Sequence, residues 1–357
     1  MSWEILHDDV AFVTKEEASA ELRKLIDQTV ARAVDDSLSY GHRVAFEVSG
    51  GIDSTIATSR GLLALSKRGM EDKAFGVSIT YPYYEFRRED RFISDVYADH
   101  GMRRISLDGR KLLPFAGVKR TPVHNIPNLA VVGAAQHTAV VDAAAKHGAS
   151  LLFNGLGGDT LFGMGPTGQY RFHEAPRRPE WFTRRGWKIV THHWKQLIDY
   201  FDSGERSSKR QFFTGAHIDD GWADTIIAQP RGVRRQCLFT NPDIIPLAAR
   251  LWSQRPNGAS YKSVLREVFA KDLPQSIRRR RHKIAYDGLY VRGYRSALPD
   301  LEKLISRSED ALSEAGIKTP HFLEAVHEIA RGDLTDDRLV SSVLACLLWM
   351  EKKNDLS

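Results

Sequence analysis

Apolar positions in the first half of the chain follow two patterns in turn, a helical spacing and short continuous runs. Residues 15–39 carry apolar side chains at helical spacing, which predicts a helix, and Thr14 stands where its N-cap belongs. Residues 44–48 form a short run that predicts a buried strand ending at a pair of glycines. The alternation then repeats, with helices predicted over 56–65, 90–100 and 131–146 and strands over 74–80, 104–107 and 151–153.

Strands that alternate with helices in this way are typical of an α/β fold. We expect a parallel twisted sheet with helices on both faces and right-handed crossovers. From residue 163 to about residue 242 the chain is rich in Trp, His, Arg and Gly with weak periodicity, which predicts irregular helices and long loops. Beyond residue 243 the helical spacing returns, so the C-terminal region is predicted to be mostly helical.

The chain divides into four predicted parts on these grounds. Residues 1–42 form a helical lead-in and 43–165 an α/β core, while 166–242 form an irregular insertion that we expect to set substrate choice. Residues 243–357 form a helical C-terminal part. A length of 357 residues suits one large or two modest domains, and the sequence contains no internal repeat.

Composition narrows the class of protein. With 42% hydrophobic and 27% charged residues the chain is globular, and a net charge of +6 suits an anionic ligand without establishing nucleic-acid binding. Cys237 and Cys346 are too few for a disulfide scaffold, so we expect buried thiols and a cytoplasmic location. The sequence shows neither a stretch of about 20 apolar residues nor a signal peptide, and we expect no membrane partner.

The most informative segment is residues 48–55, Val-Ser-Gly-Gly-Ile-Asp-Ser-Thr, which ends a predicted strand and opens a predicted helix. Backbone N–H groups and the helix dipole at such a turn attract an anion. Gly50 and Gly51 let the backbone approach that anion closely. The hydroxyl groups that can donate to phosphate oxygens belong to Ser49, Ser54 and Thr55.

An aspartate is unexpected in an anion site unless a cation lies between it and the phosphates. We therefore interpret Asp53 as a Mg²⁺ ligand. The loop is not a Walker A motif, because no lysine follows its glycines. The alternative, a tight turn in which Asp or Ser caps the helix, stays open from these residues alone.

The string Ser-Gly-Gly-x-Asp-Ser resembles the pyrophosphate loop of the ATP pyrophosphatase superfamily, whose members cleave ATP between its α- and β-phosphates. Residues 154–163, Asn-Gly-Leu-Gly-Gly-Asp-Thr-Leu-Phe-Gly, resemble the asparagine synthetase pattern Gly-Glu-Gly-Ser-Asp-Glu. The resemblance implies an adenine nucleotide alpha hydrolase-like fold, bound ATP, and Asp159 as a second Mg²⁺ ligand. It also implies nucleotide contacts from Val48, Val77 and Gly155 beside those of the glycine loop.

Asn241-Pro242-Asp243 stands where this family has Pro-Phe-Leu-Asp, and two later strings extend the resemblance. Residues 261–266 are similar to the family's Lys-x-x-Leu-Arg helix, and residues 281–288 are similar to the segment that holds its catalytic lysine. By that match Lys283 contacts the α-phosphate and the developing pyrophosphate, and Lys262 is a second such cation. The arginines at 278–281 are predicted to form a solvated basic face.

The sequence also departs from the asparagine synthetase pattern. Leu156 replaces the family glutamate, and Thr160 replaces the acidic residue after the metal ligand. Residues 1–42 are too few for a glutaminase domain, so we expect no ammonia from glutamine within this chain. Because Leu156 cannot accept a proton, the pattern favours relatives that join a carboxylate to a substrate amine, such as β-lactam synthetases and lasso-peptide cyclases.

We therefore predict an amide synthetase that releases AMP and pyrophosphate, adenylates a small-molecule or peptide carboxylate and transfers it to an amine. We therefore expect the carboxylate and amine substrates to bind the chain, and the resemblance is compatible with a biosynthetic partner protein. We expect no nucleic acid to bind. Three alternatives stay open: ammonia-dependent asparagine synthesis, a tRNA-modifying pyrophosphatase, and a nucleotide-binding protein without catalysis. Aromatic residues such as Trp181 and Trp222 are candidates for gripping the substrate, with a packed helical subdomain as the alternative.

Overall fold

A computed structural model describes residues 14–117, 126–163, 177–202, 221–241, 243–244, 247–248, 251, 262–280 and 286–354. Its strands are β1 (Arg43–Glu47), β2 (Ala74–Thr80), β3 (Arg103–Asp108), β4 (Ala149–Asn154) and β5 (Arg234–Cys237). They form one parallel sheet in the order β3-β2-β1-β4-β5. The central β1 therefore lies between β2 and β4, and the carboxyl ends of all five strands meet at one edge of the sheet.

Helices connect the strands and then make up the C-terminal region. Those before the last strand are α1 (Lys15–Leu38), α2 (Ile52–Ser66), α3 (Arg87–His100), α4 (Ala134–Lys146) and α5 (Arg184–Asp202). Those after it are α6 (Ser263–Val268), α7 (Gln275–Arg279), α8 (Asp287–Arg307), α9 (Glu309–Glu314), α10 (Thr319–Arg331) and α11 (Asp337–Asn354). None of these described helices is both long and apolar enough to cross a bilayer.

The first helix shows how local sequence sets an element's start. The Thr14 side chain accepts a hydrogen bond from the Glu17 backbone N–H at 3.1 Å, and the Glu17 carboxylate accepts one from the Thr14 N–H at 3.0 Å. This capping box satisfies two backbone donors at the helix end. The apolar face of α1 is fully buried at Leu22 and Ile26 and packs against α2 and the sheet.

Three large apolar cores and a small cluster of Phe86, Leu113 and Leu289 hold the described residues together. One lies between the sheet and helices α1, α2 and α3, and it contains Phe46 and Phe153. A second lies on the opposite face of the sheet, under α4 and a short helical segment, Ala223–Ala228. The third joins α8, α10 and α11 to Trp181 and Phe182.

This architecture confirms the predicted α/β class, with a parallel sheet, helices on both faces and a mostly helical C-terminal region. The region 166–242, for which irregular helices and long loops are predicted, contains the helix α5, and the prediction was wrong for β5, which extends the sheet beside β4. The four residues of β5 read Arg-Arg-Gln-Cys, so they carry no apolar run, and only pairing with β4 makes them a strand. The division into four parts stays a prediction.

The two cysteines differ in environment. Cys237 is buried at the end of β5, as predicted, whereas Cys346 is exposed on α11. The prediction of a buried thiol was therefore wrong for Cys346. The apolar neighbours Leu344, Ala345, Leu347 and Leu348 are buried, so sequence context alone does not tell which way the Cys346 side chain faces.

Candidate active site

Two glycine-containing turns meet at the carboxyl edge of the sheet. The first follows the central β1 and leads into α2, and the second follows its neighbour β4. Between them opens a cavity of about 250 Å³. Crevices outside the carboxyl ends of parallel strands are the usual ligand sites of open α/β sheets, so the topology places the two turns where a ligand would bind.

Side-chain hydroxyl groups brace the first turn from inside. The Ser49 and Ser54 hydroxyls lie 2.9 Å apart, and the Ser54 hydroxyl donates to the Gly51 carbonyl at 3.2 Å. The Thr55 hydroxyl donates to the same carbonyl at 2.7 Å, and Thr55 is fully buried. Gly50 has a φ of +69°, and an added Cβ would meet the backbone nitrogen of Ile93 at 2.9 Å. The turn is therefore rigid and excludes a side chain at Gly50.

Glycines in the second turn let it touch the first. A Cβ on Gly158 would overlap the carboxyl group of Asp53, and one on Gly155 would overlap the backbone of Asp53 and Ser54. Gly157 has a φ of +89° and packs against the backbone of Phe239. Because these positions carry no side chains, the turn that holds Asp159 can contact the turn that holds Asp53.

The buried ammonium group of Lys262 lies between the two aspartates. Its Nζ forms an ion pair with Oδ2 of Asp53 and lies 2.7 Å from Oδ1 of Asp159. Lys262 is 3% exposed and has a φ of +53°, a left-handed conformation that is uncommon for a residue with a side chain. Two carboxylates that contact one nitrogen face a common point, so both can contribute oxygen atoms to one cation.

The donor set at this point suits Mg²⁺ bound together with phosphates. Mg²⁺ in phosphoryl-transfer sites takes one or two carboxylates and fills its remaining positions with phosphate oxygens and water. Asp53 and Asp159 supply the two carboxylates. Within the described part of the chain no group of three His, Cys, Asp or Glu side chains could hold a metal, so a metal here would depend on oxygens from a ligand.

Arg280 fastens the glycine loop to the C-terminal part of the chain. Its Nη1 donates to the Gly50 carbonyl at 2.8 Å, and its Nη2 lies 2.7 and 2.8 Å from the two carboxylate oxygens of Glu89. The guanidinium also lies 4.6 Å from the centre of the Phe92 ring. Arg278 and Arg279 are exposed, but Arg280 is 9% exposed, so the prediction of a solvated face was wrong for Arg280.

A cluster of ionisable groups forms another wall of the same cavity. It contains Glu47 at the end of β1, His137 on α4 and Arg235 on β5. Burial raises the pKa of Glu47 above its ordinary range, and the nearby Arg235 opposes that shift. Burial and Arg235 lower the pKa of His137 to about 4, so its imidazole is neutral at neutral pH. Arg235 also lies 3.3 Å from an Asp224 oxygen.

A second cavity, of about 330 Å³, adjoins the first, and its lining includes the aromatic side chains of Tyr81, Phe86, Tyr286 and Tyr290. The two cavities share Glu47, Ser49, Glu89 and Tyr286. The Phe86 ring stacks on Tyr286 with centroids 5.9 Å apart, and Tyr81 lies 5.3 Å from Phe86. The crevice therefore joins a half lined by glycine turns and charged groups to a half whose aromatic rings can pack against a flat ligand.

The structure brings most of the predicted site residues together. The first cavity is lined by Ser49, Gly51, Asp53, Ser54, Gly155, Asp159 and Lys262, and Leu156 lies on its wall with 39% of its surface exposed. Val48 lines the second cavity. Gly50, Thr55 and Val77 line neither cavity, since Thr55 and Val77 are fully buried and Gly50 packs against α3. Lys283 lies outside the described residues.

Sequence reasoning missed Glu47, Glu89, His137, Arg235 and Arg280. One signal was available, because Glu47 is a charged residue that interrupts the apolar run of residues 44–48. The proposed substrate grip was wrong for Trp181 and Trp222, which are 2% and 4% exposed and pack in apolar cores.

Comparison with known proteins agrees with this geometry. The sequence model of the family described as asparagine synthase matches residues 22–237, which is more than half of the chain. The match includes both glycine turns and all five strands. A search of curated proteins gave no match. Enzymes of the matched family use ATP, and membership indicates an ATP-dependent carbon–nitrogen ligase. The chain belongs to the asparagine synthase family.

Proposed function

We propose that the chain is an amide synthetase that adenylates a carboxylate and transfers the acyl group to an amine. The observation that carries this proposal is the convergence of Asp53 and Asp159 on one point beside the glycine loop. A pair of carboxylates at this position could bind the metal ion of a metal-bound polyphosphate that lies on the loop. The adjoining cavity has aromatic side chains, Phe86 and Tyr286 among them, against which an adenine ring could pack.

Different residues of the site would contact the phosphates and the metal ion of the nucleotide. Ser49 and the N-terminal turn of α2 face the first cavity and offer donors to phosphate oxygens. Asp53 and Asp159 would hold Mg²⁺, which would supply positive charge against the phosphates. A cationic side chain such as Lys262 stabilises the charge that develops on the leaving pyrophosphate.

The proposed chemistry has two balanced steps. A carboxylate oxygen of the acid attacks the α-phosphorus, the bond to the bridging oxygen breaks, and pyrophosphate leaves with that electron pair. The amine nitrogen then attacks the acyl carbon, the amine loses a proton, and AMP leaves with the acyl–oxygen electron pair. Holding the adenylate and the amine together in one crevice lowers the entropic part of the barrier.

Leu156 bears on the choice of amine. It lies on the cavity wall and offers no acceptor for a proton. We propose a substrate amine rather than ammonia, as in relatives that form β-lactams or peptide macrolactams. Such an enzyme would serve the biosynthesis of a specialised metabolite or a modified peptide, with a partner protein where the substrate is a peptide.

The direct test is pyrophosphate release by the purified chain with ATP, Mg²⁺ and a panel of carboxylates, with hydroxylamine present to trap acyl adenylates. We expect Asp53→Asn to reduce release by at least about 100-fold, because it removes one of the two carboxylates at the metal position. Asp310→Asn, on exposed α9, is the matched control and should leave release unchanged. Turnover by the Asp53 variant at the wild-type rate would refute the assignment.

The same assay separates the alternatives. Aspartate with ammonium as the sole productive pair would indicate asparagine synthesis. A mobility shift with tRNA, together with no response to any carboxylate, would indicate a tRNA-modifying enzyme. Binding of ATP without release of pyrophosphate under any of these conditions would indicate a nucleotide-binding protein without catalysis.

A further inference from the structure

The Lys262 ammonium group occupies the point on which the two metal-binding carboxylates converge. It contacts Oδ2 of Asp53 and Oδ1 of Asp159, and its side chain is 3% exposed. A lysine ammonium is a compact point charge, so it balances carboxylates much as a metal ion does. One position between these two oxygens cannot hold both cations.

We infer that Lys262 is a resident counter-ion, which Mg²⁺ must displace when it binds with a nucleotide. This inference rests on the proposed function for the identity of the metal, and it adds a control on when the metal can bind. Without nucleotide, Lys262 neutralises one carboxylate charge and keeps the affinity for free metal low. With nucleotide, phosphate oxygens attract both the metal and the lysine, so the exchange becomes favourable.

Neighbouring cations do not fill the same role. Arg280 also lines the cavity, but its guanidinium is engaged by the Glu89 carboxylate and the Gly50 carbonyl. Arg266 donates to the backbone carbonyl of Arg280. Arg280 is therefore engaged with the glycine loop and Arg266 with Arg280, whereas the Lys262 ammonium group contacts both aspartates.

The test is a titration of the nucleotide-free protein with Mn²⁺, followed by electron paramagnetic resonance of the free ion. Lys262→Met should bind Mn²⁺ at least about tenfold more tightly than wild type, because the competing charge is gone. The double variant Asp53→Asn with Lys262→Met should lose this gain. Lys271→Met, which removes an exposed lysine, is the matched control and should bind as wild type does.

A second measurement covers the case in which the methionine variant does not fold. Lys262→Gln keeps a hydrogen-bond donor without the charge, and Mn²⁺ should raise its melting temperature more than that of wild type. Affinities within twofold of wild type for both variants, or a gain that survives Asp53→Asn, would overturn the inference. A gain in Mn²⁺ affinity without any pyrophosphate release would leave the inference standing and reject the proposed function.

Discussion

His137 shows what the cavity does to a single residue. Its imidazole lies beside the buried Arg235 guanidinium, and burial with that neighbouring charge lowers its pKa to about 4. The fold therefore disfavours the imidazolium form. Glu47 on the same wall is shifted in the opposite sense, with a raised pKa that disfavours its carboxylate. Both groups are held toward their neutral forms, which is common where a site must handle charge on its ligand.

The His137 shift predicts a dependence of stability on pH. Between the ordinary histidine pKa of 6.5 and about 4, the unfolded chain binds a proton at His137 that the folded chain does not. Stability should fall as pH drops through this window, by about 1–2 kcal/mol, because the open cavity screens part of the effect. His137→Gln should remove that loss in urea unfolding measured from pH 7 to pH 4.

The same experiment carries its own control. Glu47 has a raised pKa, so its contribution is greatest at low pH and is lost as pH rises through its folded pKa. That contribution is present in wild type and in the His137 variant alike, and it cancels in the difference between them. An unchanged pH slope in His137→Gln would show that the imidazole is not shifted.

At the scale of elements, the site depends on two turns that can touch. β1 and β4 are neighbours in the sheet, so the turns that follow them begin close together. Contact still requires that the second turn carry no side chain where it meets Asp53, and Gly155 and Gly158 meet that requirement. Glycine in this turn therefore serves the meeting of two loops as well as the approach of an anion.

Gly158→Ala tests this reading. Its methyl group would overlap the Asp53 carboxyl group, so Asp53 must move away from the point that it shares with Asp159. We expect a loss of stability of about 1–3 kcal/mol from overpacking, and at least a tenfold loss of pyrophosphate release. Gly221→Ala is the control, because a Cβ there meets open space and the backbone has no positive φ. Equal effects of the two substitutions would contradict the role of close approach.

At the scale of the whole molecule, residues far apart in sequence complete the crevice. Arg280 follows α7 and reaches back to Gly50 in the glycine loop and to Glu89 on α3. A second network joins Arg60 on α2 to Asp27 on α1 and to Asp272 in the turn before α7. Ion pairs of Asp272 with Arg60 and of Arg280 with Glu89 therefore fasten the C-terminal part of the chain to helices α2 and α3 on one side of the crevice.

Replacing Arg280 should destabilise the fold, because Arg280 joins the C-terminal part of the chain to the glycine loop and to α3. Arg280→Met leaves the largely buried Glu89 carboxylate without its partner, and we expect a loss of about 3 kcal/mol in urea unfolding. Combining it with Glu89→Gln should cost less than the sum of the two single changes, because the two side chains form one interaction. Arg331→Met, on the exposed surface of α10, should change stability by less than about 1 kcal/mol. Additive effects at Arg280 and Glu89 would show that the pair is not coupled.

Much of the α/β half of the molecule followed from the sequence by itself. The period of apolar residues is a local property, so it placed β1, β2, α1 and α4 to within a few residues. The two glycine turns were visible for the same reason, since glycine and aspartate at a strand end act over a few residues. The order of strands and helices also required both turns to meet at one edge of the sheet.

Only the tertiary structure decided the rest, because it depends on contacts between distant residues. Lys262 lies 209 positions from Asp53 and 103 positions from Asp159 in the sequence, so no local pattern predicts that its side chain lies between them. Arg280 stands in a run of arginines that favours solvent, and its burial follows from Glu89 and Gly50. Strand β5 has no apolar pattern of its own, and pairing with β4 gives it structure. Electrostatic and pairing energies of this kind exist only once the chain has brought the partners together.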